Sequence, residues 1–520
     1  MRNSRQLSTL PKLLAAAAAV LTCILLYWGN RMNKETDLTL RVALNTSILL
    51  EDIDTAKIKQ ASDYSLLELL YSTLVEYNNE GEIIGGLAER FFWDNDNLVF
   101  EFRDTASSSG HRITPEDAIA TFKRLMILNT NSHGDLVSLL CMDKRPMNLT
   151  DACEGMEASG KRLILKTKKK TPFLLPLLTT LDYGIIPQNS LDKATLHIIH
   201  HTETSGPYKI SDAKDKLVLE ANKKHWHYKP RMPQRVELYP FDYNADSPNS
   251  AESQFINGNV DFIPTASELR LGDIEKISSG SRGKFTVQTT NPMYLAYAEY
   301  TERGLSLSSE KRRHLLASFQ RAVRKTLSND SHGRVSTIQI LPPSSEGNLS
   351  LSQTQTIEEN LRKYSEPCDA TGIKIAIPES VLNFYRSALE SEIINLTFVG
   401  VEEIARFEDR NDDDVPDLTI SAVDVTAIED INFISYSVKN GILVPPEGQT
   451  PAEWLKIYFE TPEKSARMSM LQKIQFHTIW ENPKIIPISI RPFVSVIDSR
   501  WKTDFSKLFP NDPFWKIEHE

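Results

Sequence analysis

Cysteine is scarce: four occur in 520 residues, at positions 23, 141, 153 and 368. That scarcity excludes the small scaffolds whose folding rests on a disulfide framework. A chain of this length can build two or three domains with proper cores and needs no covalent or metal staple. Positive charge is in deficit, with 59 Lys and Arg against 69 Asp and Glu and a formal net charge of −10. Such a balance gives no general attraction to polyanions and argues against nucleic acid as a partner. The local signatures of catalysis are missing as well. There is no Gly-x-Ser-x-Gly elbow, no His-Glu-x-x-His and no dinucleotide glycine fingerprint, and Gly280-Ser281-Arg282-Gly283-Lys284 has neither the spacing nor the terminal Ser or Thr of a phosphate loop. No enzyme activity and no cofactor are expected, and no internal repeat is visible.

Long apolar runs are also few, and one stands out. Leu13 to Gly29 carries no charge and comes after Arg2, Arg5 and Lys12. Its length suits either a short membrane span or the core of a signal segment, and both would export the rest of the chain. The core ends Leu25-Leu26-Tyr27-Trp28 with no small residues after it, which favours an uncleaved anchor. Cys23 after Val20-Leu21-Thr22 makes lipidation the weaker reading. The basic residues before the segment favour a cytoplasmic N-terminus. Beyond it, Cys141, Cys153 and Cys368 are an odd set. Cys141 and Cys153 are close enough to close a small loop in an oxidising compartment, and buried free thiols are an equal alternative.

The exported part reads as α/β. Leu38 to Leu44 has strand character, and Leu66, Leu67, Leu70 and Leu74 recur at helical spacing. Leu98, Phe100 and Phe102 alternate as a strand. Thr114-Pro115-Glu116-Asp117 supplies a cap, a first-turn proline and first-turn acids for a helix through Leu125. The basic run Lys161 to Lys170 is expected as a solvated edge strand, since edge strands use lysine against aggregation. Further strands are expected at Leu217 to Glu220, Val236 to Tyr239 and Val260 to Ile263, with a short helix from Ala251 to Gly258. A loop rich in Ser and Gly near 265–285 marks a boundary. A helix from Ser309 to Leu327, strands at Ile373–Ile377 and Leu418–Ala422, and a returning apolar tail at Ile485–Ile490 and Val494–Ile497 complete the chain.

An ordered series of motifs runs through these elements: Leu70-Tyr71-Ser72-Thr73-Leu74, Gly86-Leu87-Ala88-Glu89 with Trp93, Gly110 to Ala118, Ser205-Gly206-Pro207-Tyr208, Asn222 to Trp226, Gly258-Asn259-Val260-Asp261, Ser318 to Val323, Asp417-Leu418 and Ile486-Pro487-Ile488. In order and spacing it resembles the extracytoplasmic solute-binding proteins of ABC importers, family 5, whose best-known members bind oligopeptides. The resemblance implies an α/β fold of the periplasmic-binding-protein-like type II: two lobes (three subdomains) with a hinge and an interlobe cleft, preceded by the N-terminal transmembrane or signal segment. The implied division is a cytoplasmic tail 1–12, the segment 13–29, a tether 30–37, a first-lobe core from 38–80, 200–270 and 481–520, a first-lobe extension 81–199, and a second lobe 271–480. It further implies a monomer in the bacterial periplasm, anchored to the cytoplasmic membrane, that delivers a peptide or other small solute to ABC permease subunits. Gly206, Pro207 and Tyr208 are the expected hinge, an ordinary turn being the equal alternative.

In the family's peptide binders an aspartate before an Asp-Pro stretch receives the ligand's ammonium. The matching region Ala422 to Phe433 makes Asp424 the candidate, with Glu429 and Asp430 as substitutes. It lacks the Asp-Pro and the usual aromatics, so a solvated loop acid is the plainer alternative. A binding-protein fold repurposed as a membrane-anchored sensor or scaffold for a protein partner is the runner-up function. His197, His200, His201, His225 and His227 match no zinc ligand set, and Asp412, Asp413 and Asp414 lack the spacing of a calcium loop. No metal site is expected. Lys311, Arg312, Arg313 and His314 read as a solvated face.

Overall fold

The computed structural model describes residues 38–46, 49–58, 60–128, 140–141, 144–167, 170–244, 246–280, 283–328, 333–345, 347–400, 415–425 and 431–520. The apolar segment Leu13 to Gly29, Cys23 and the acids Asp412 to Asp414 lie outside these residues. Among the described residues no helix is long and apolar enough to cross a membrane. Leu40–Glu520 form one compact unit.

The elements that position the site, in chain order, are β1 (Thr39–Ala43), α1 (Ala61–Leu70), β2 (Tyr208–Asp212), β3 (Phe285–Thr289), β4 (Tyr294–Tyr300), β5 (Leu418–Asp424), α2 (Ile431–Lys439), β6 (Ile485–Arg491) and β7 (Val494–Asp498). A seven-stranded sheet runs β3, β7, Phe262–Ile263, β1, Arg235–Tyr239, Val218–Ala221, β2 and organises the first lobe. A six-stranded sheet runs Val335–Ser336, β6, β4, β5, Lys374–Ile377, Thr397–Gly400 and organises the second. A four-stranded antiparallel sheet, Ala88–Asp94, Asn97–Phe102, Arg162–Lys166, Met156–Ser159, lies within the stretch expected as the first-lobe extension.

Chain and sheets meet at two places. β3 leads into β4 through residues 290–293, and β6 leads into β7 through Pro492 and Phe493. The two crossings lie side by side: Thr290 N donates to Phe493 O (3.1 Å), Phe493 N to Thr290 Oγ1 (2.9 Å) and Met293 N to Arg491 O (2.9 Å). The first-lobe sheet therefore keeps β3 and the helix Asp273–Gly280, and β6 lies in the second-lobe sheet. Both changes of sheet fall closer to the crossings than the loop composition near 265–285 suggests, because a Ser- and Gly-rich stretch ends a helix as readily as it ends a domain.

Several motifs tie distant segments of the chain together. Asp261 accepts from Arg41 Nε (2.9 Å), Arg41 Nη2 (2.7 Å) and Arg500 Nη2 (2.6 Å), joining three distant segments. Ser205 Oγ donates to Ile185 O (2.5 Å) and accepts from Ser72 N (3.1 Å). Gly206 packs against α1: a Cβ there would fall 2.5 Å from Leu70 C and 2.6 Å from Leu69 O, a space that only glycine leaves open. The basic run differs from expectation. Arg162–Lys166 is an interior strand, flanked on both sides by partners, and its charges pair across the sheet face, Arg162 with Glu101 and Lys166 with Glu157. Lysine and arginine here serve cross-strand pairing rather than edge protection. A disulfide joins Cys141 and Cys153, whose Cα atoms are 4.5 Å apart, and Cys368 is a buried free thiol.

The helix Pro115–Leu128 starts at the predicted cap, with Asp117 Oδ2 accepting from Thr114 N (2.8 Å). It carries Arg124, whose side chain is 1% exposed and pairs in fork geometry with Asp54, 5% exposed, through Nη1–Oδ1 (2.9 Å) and Nη2–Oδ2 (2.5 Å). Arg124 Nε also donates to Leu196 O (2.7 Å). Removing one member of such a pair strands a buried charge, which costs about 3–5 kcal/mol. Arg124→Met is expected to lose that much stability in chemical denaturation, and adding Asp54→Asn to it should recover part of the loss.

Candidate functional site

Between the two large sheets lies a cleft of about 610 Å³. Its first-lobe wall comes from α1 and the turn after it (Tyr64, Glu68, Tyr71, Ser72, Glu76, Tyr77), from Thr179 to Asp182, from His227, and from the C-terminal stretch Phe509 to Lys516. Its second-lobe wall comes from Val423 and Asp424 at the end of β5 and from Phe433 and Tyr436 on α2. Phe493, at the crossing, lines it as well, edge-on to Tyr294 at 5.6 Å between ring centroids. Away from the crossing the lobes meet again, where Phe173 of the extension packs on Phe459 of the helix Pro451–Glu460 at 4.4 Å.

Asp424 is placed by sheet register. It is the last residue of β5, opposite Tyr294 at the start of β4, and the next residue is fixed by Val425 N donating to Met293 O (2.7 Å). The crossing strand thus sets where this carboxylate stands, half-buried on the cleft wall. Glu429 and Asp430 lie outside the described residues. Pro207 lines the cleft, but Gly206, Pro207 and Tyr208 do not pass between the sheets. Tyr208 opens β2 within the first lobe, buried, with its hydroxyl donating to Pro233 O (3.0 Å). The passage between sheets is made at 290–293 and 491–493, where short two- to four-residue connections lead from one sheet into the other without a Gly-Pro turn.

The remaining candidates are dispersed. His225 is buried with Nε2 3.0 Å from Ser72 Oγ, and burial holds it well below the usual imidazole range. His227 Nε2 lies 3.1 Å from Glu76 Oε2, and its ring stacks on Trp515 at 5.3 Å. Among the described residues no three His, Cys, Asp or Glu side chains come together in a way that could hold a metal ion. The basic cluster at 311–314 is spent on backbone carbonyls: Arg312 Nη1 donates to Pro483 O (2.5 Å), Arg313 Nη2 to Glu481 O (2.8 Å), and Lys311 to Asp369 O.

Sequence reasoning missed the acids of the first-lobe wall. Glu68 accepts from Asn511 Nδ2 (2.7 Å). One side of it faces the cleft, so water can touch it, yet protein atoms enclose it. Burial pushes its carboxyl up to about 8, with Glu76 and Asp512 adding to the rise and Asn511 and Lys516 opposing it. Burial pushes Asp182 up to about 6. Asp512, buried beneath the cleft, is also raised to about 6 by burial, although Thr265 N donates to it at 2.5 Å. One signal for Glu68 was present: it is the lone charge in the apolar run Leu66-Leu67-Glu68-Leu69-Leu70.

With this geometry in view, residues 82–319 match the model of bacterial extracellular solute-binding proteins, family 5 Middle. Over that region, just under half of its length, the chain is similar to family 5. No curated protein matches it in sequence. Solved structures share the fold over nearly its whole length. NikA from Brucella suis in complex with Fe(III)-EDTA is 15% identical, with 93% of this chain and 100% of that one covered and a TM-score of 0.70. Haemophilus influenzae OppA complexed with the peptide RPPGFSPFR is 14% identical, covering 93% and 99%, at 0.65. The Escherichia coli murein tripeptide binding protein MppA is 15% identical, covering 92% and 98%, at 0.64. The mixed α/β architecture expected from the family 5 motifs is therefore that of the periplasmic-binding-protein-like fold.

The Glu68 carboxyl predicts a pH dependence. A folded value of about 8 against an ordinary 4.5 means that the folded protein holds the proton more tightly. The stabilisation is then complete below about 4.5 and is lost as pH rises toward 8. Glu68→Gln is expected to flatten this loss, so that its stability relative to the parent improves by roughly 1–4 kcal/mol between pH 5 and 8. Urea denaturation at a series of pH values reads the difference; parallel curves for the two proteins would contradict it.

Proposed function

We propose that this chain is the extracytoplasmic solute-binding component of an ABC importer, closing its two lobes over a peptide or similar small solute and presenting it to permease subunits. The observation that carries this reading is the cleft itself. Its volume of about 610 Å³ falls within the roughly 300–1,000 Å³ of small-molecule sites, and both lobes supply its walls. A scaffold that had lost its ligand would have no need of such a space, and this favours binding over the sensor or scaffold alternative. The Cys141–Cys153 disulfide fits an oxidising, extracytoplasmic compartment. Anchoring through Leu13 to Gly29, delivery as a monomer and docking on a permease belong to the same proposal.

In this reading Asp424 takes the solute's terminal ammonium as a charge-assisted hydrogen-bonded pair. Its position on the second lobe means that the solute links both walls, so that ligand binds the closed form better than the open one and shifts the population toward it. Backbone carbonyls and amides of the solute would meet the cleft's side chains directly or through water. No bond is made or broken.

Binding of short peptides with free and with acetylated N-termini, monitored by thermal shift and calorimetry, tests this. Free peptides are expected to raise the melting temperature, and acetylation or Asp424→Ala to weaken binding by about 2–5 kcal/mol. Well-folded protein that responds to no peptide would overturn the reading.

A further inference from the structure

The turn that follows α1 places Ser72, half-buried, on the cleft wall. Its backbone is held on both sides: Ser72 N donates to Ser205 Oγ (3.1 Å), and Ile185 N donates to Ser72 O (2.9 Å). Its hydroxyl oxygen lies 3.0 Å from Nε2 of His225, a residue 4% exposed. The direction of that hydrogen bond is decided on the far side of the imidazole. There His227 N donates to His225 Nδ1 (3.2 Å), so Nδ1 is an acceptor and carries no proton. Burial, with His227 and Arg103 adding to it, holds the ring well below the usual imidazole range, so at pH 7 it is neutral and has one proton to place. That proton sits on Nε2, and Nε2–H donates to Ser72 Oγ. The hydroxyl accepts from His225 and keeps its own proton to give, and among the described residues no acceptor stands within reach of it.

A hydroxyl that donates outward from a fixed backbone, on the wall of a solute cleft, fits an oxygen acceptor on the solute. Resting on the reading of the cleft as a peptide-class site, we propose that Ser72 donates to a main-chain carbonyl oxygen of the bound peptide, and that His225 is the positioning residue that turns the hydroxyl toward it. The donor is oriented before the solute arrives, so little freedom is lost when the bond forms. The opposite tautomer would reverse the wall's chemistry. An unprotonated Nε2 would take the serine proton and leave only lone pairs facing the cleft, which suits an N–H of the solute instead. A fully charged acceptor is disfavoured, because the Glu76 carboxylate stands on the same stretch of wall, 3.1 Å from His227 Nε2. The same proton placement denies His225 the role of a base toward Ser72, since the nitrogen that faces the hydroxyl is already protonated, and the pair binds without performing nucleophilic chemistry.

Calorimetric titration of the full-length chain at pH 7 with Ala-Ala-Ala and with its C-terminal amide tests the proposal. Ser72→Ala is expected to weaken both peptides about five- to tenfold, and Ser72→Thr, which keeps a hydroxyl, to stay within about twofold of the parent. Nitrogen NMR of the parent chain, isotopically labelled at histidine, reads the imidazole proton directly and does not depend on how well the variants fold. It should find His225 protonated at Nε2 alone, with and without peptide, a result that a merely packed histidine would not require. Unchanged affinity in Ser72→Ala, a loss confined to the free acid, an equal loss in Ser72→Thr, or a proton on His225 Nδ1 overturns the assignment while leaving the peptide-binding reading intact. Failure of the parent chain to bind either peptide overturns the reading beneath it.

Discussion

Two strands that each belong to both sheets hold the molecule to its plan. β3 with β4 and β6 with β7 form continuous antiparallel partners, paired within the first-lobe sheet, across residues 290–293 and 491–493, and again within the second-lobe sheet. Pairing through the crossing keeps its backbone hydrogen bonds satisfied and leaves little to adjust except the twist of a two-stranded ribbon. Part of the cleft wall is hung from this ribbon. Tyr294 sets the register of β5 and so the place of Asp424, and Phe493 closes the floor.

Much of the fold was legible because the motifs that carry it are backbone ties whose residue types are forced by geometry. Gly206 leaves room for α1, Asp261 gathers two arginines, and Thr114 to Asp117 start a helix. The helix Ser309–Leu327 and the strands at 374–377, 485–491 and 494–498 fall where their apolar periodicity places them. The lobe boundary and the crossing were not legible in the same way. They are made by ordinary strand residues, whose alternation says nothing about which sheet they join, and Gly206-Pro207 has the composition of a turn without passing between sheets.

The site was less legible still. Its lining comes from many separated stretches of chain between Ile58 and Lys516, so no local spacing brings them together before the fold does. Asp424 was reachable through the motif series and Glu68 only as the lone charge in an apolar run, whereas Asp182 and Trp515 sit in segments whose pattern is explained by packing alone. Fixed by fold and raised by burial, the first-lobe carboxyls give the cleft an acidic lining that composition cannot reveal, because a net charge of −10 spread over the surface looks the same.

The central claim is that the ribbon joins two lobes that close over a solute. Solution X-ray scattering from the chain, alone and saturated with a bound tripeptide, measures this most directly. The account predicts a smaller radius of gyration with peptide, absent in Asp424→Ala at the same peptide concentration. A radius unchanged by a peptide that calorimetry shows to be bound would contradict it.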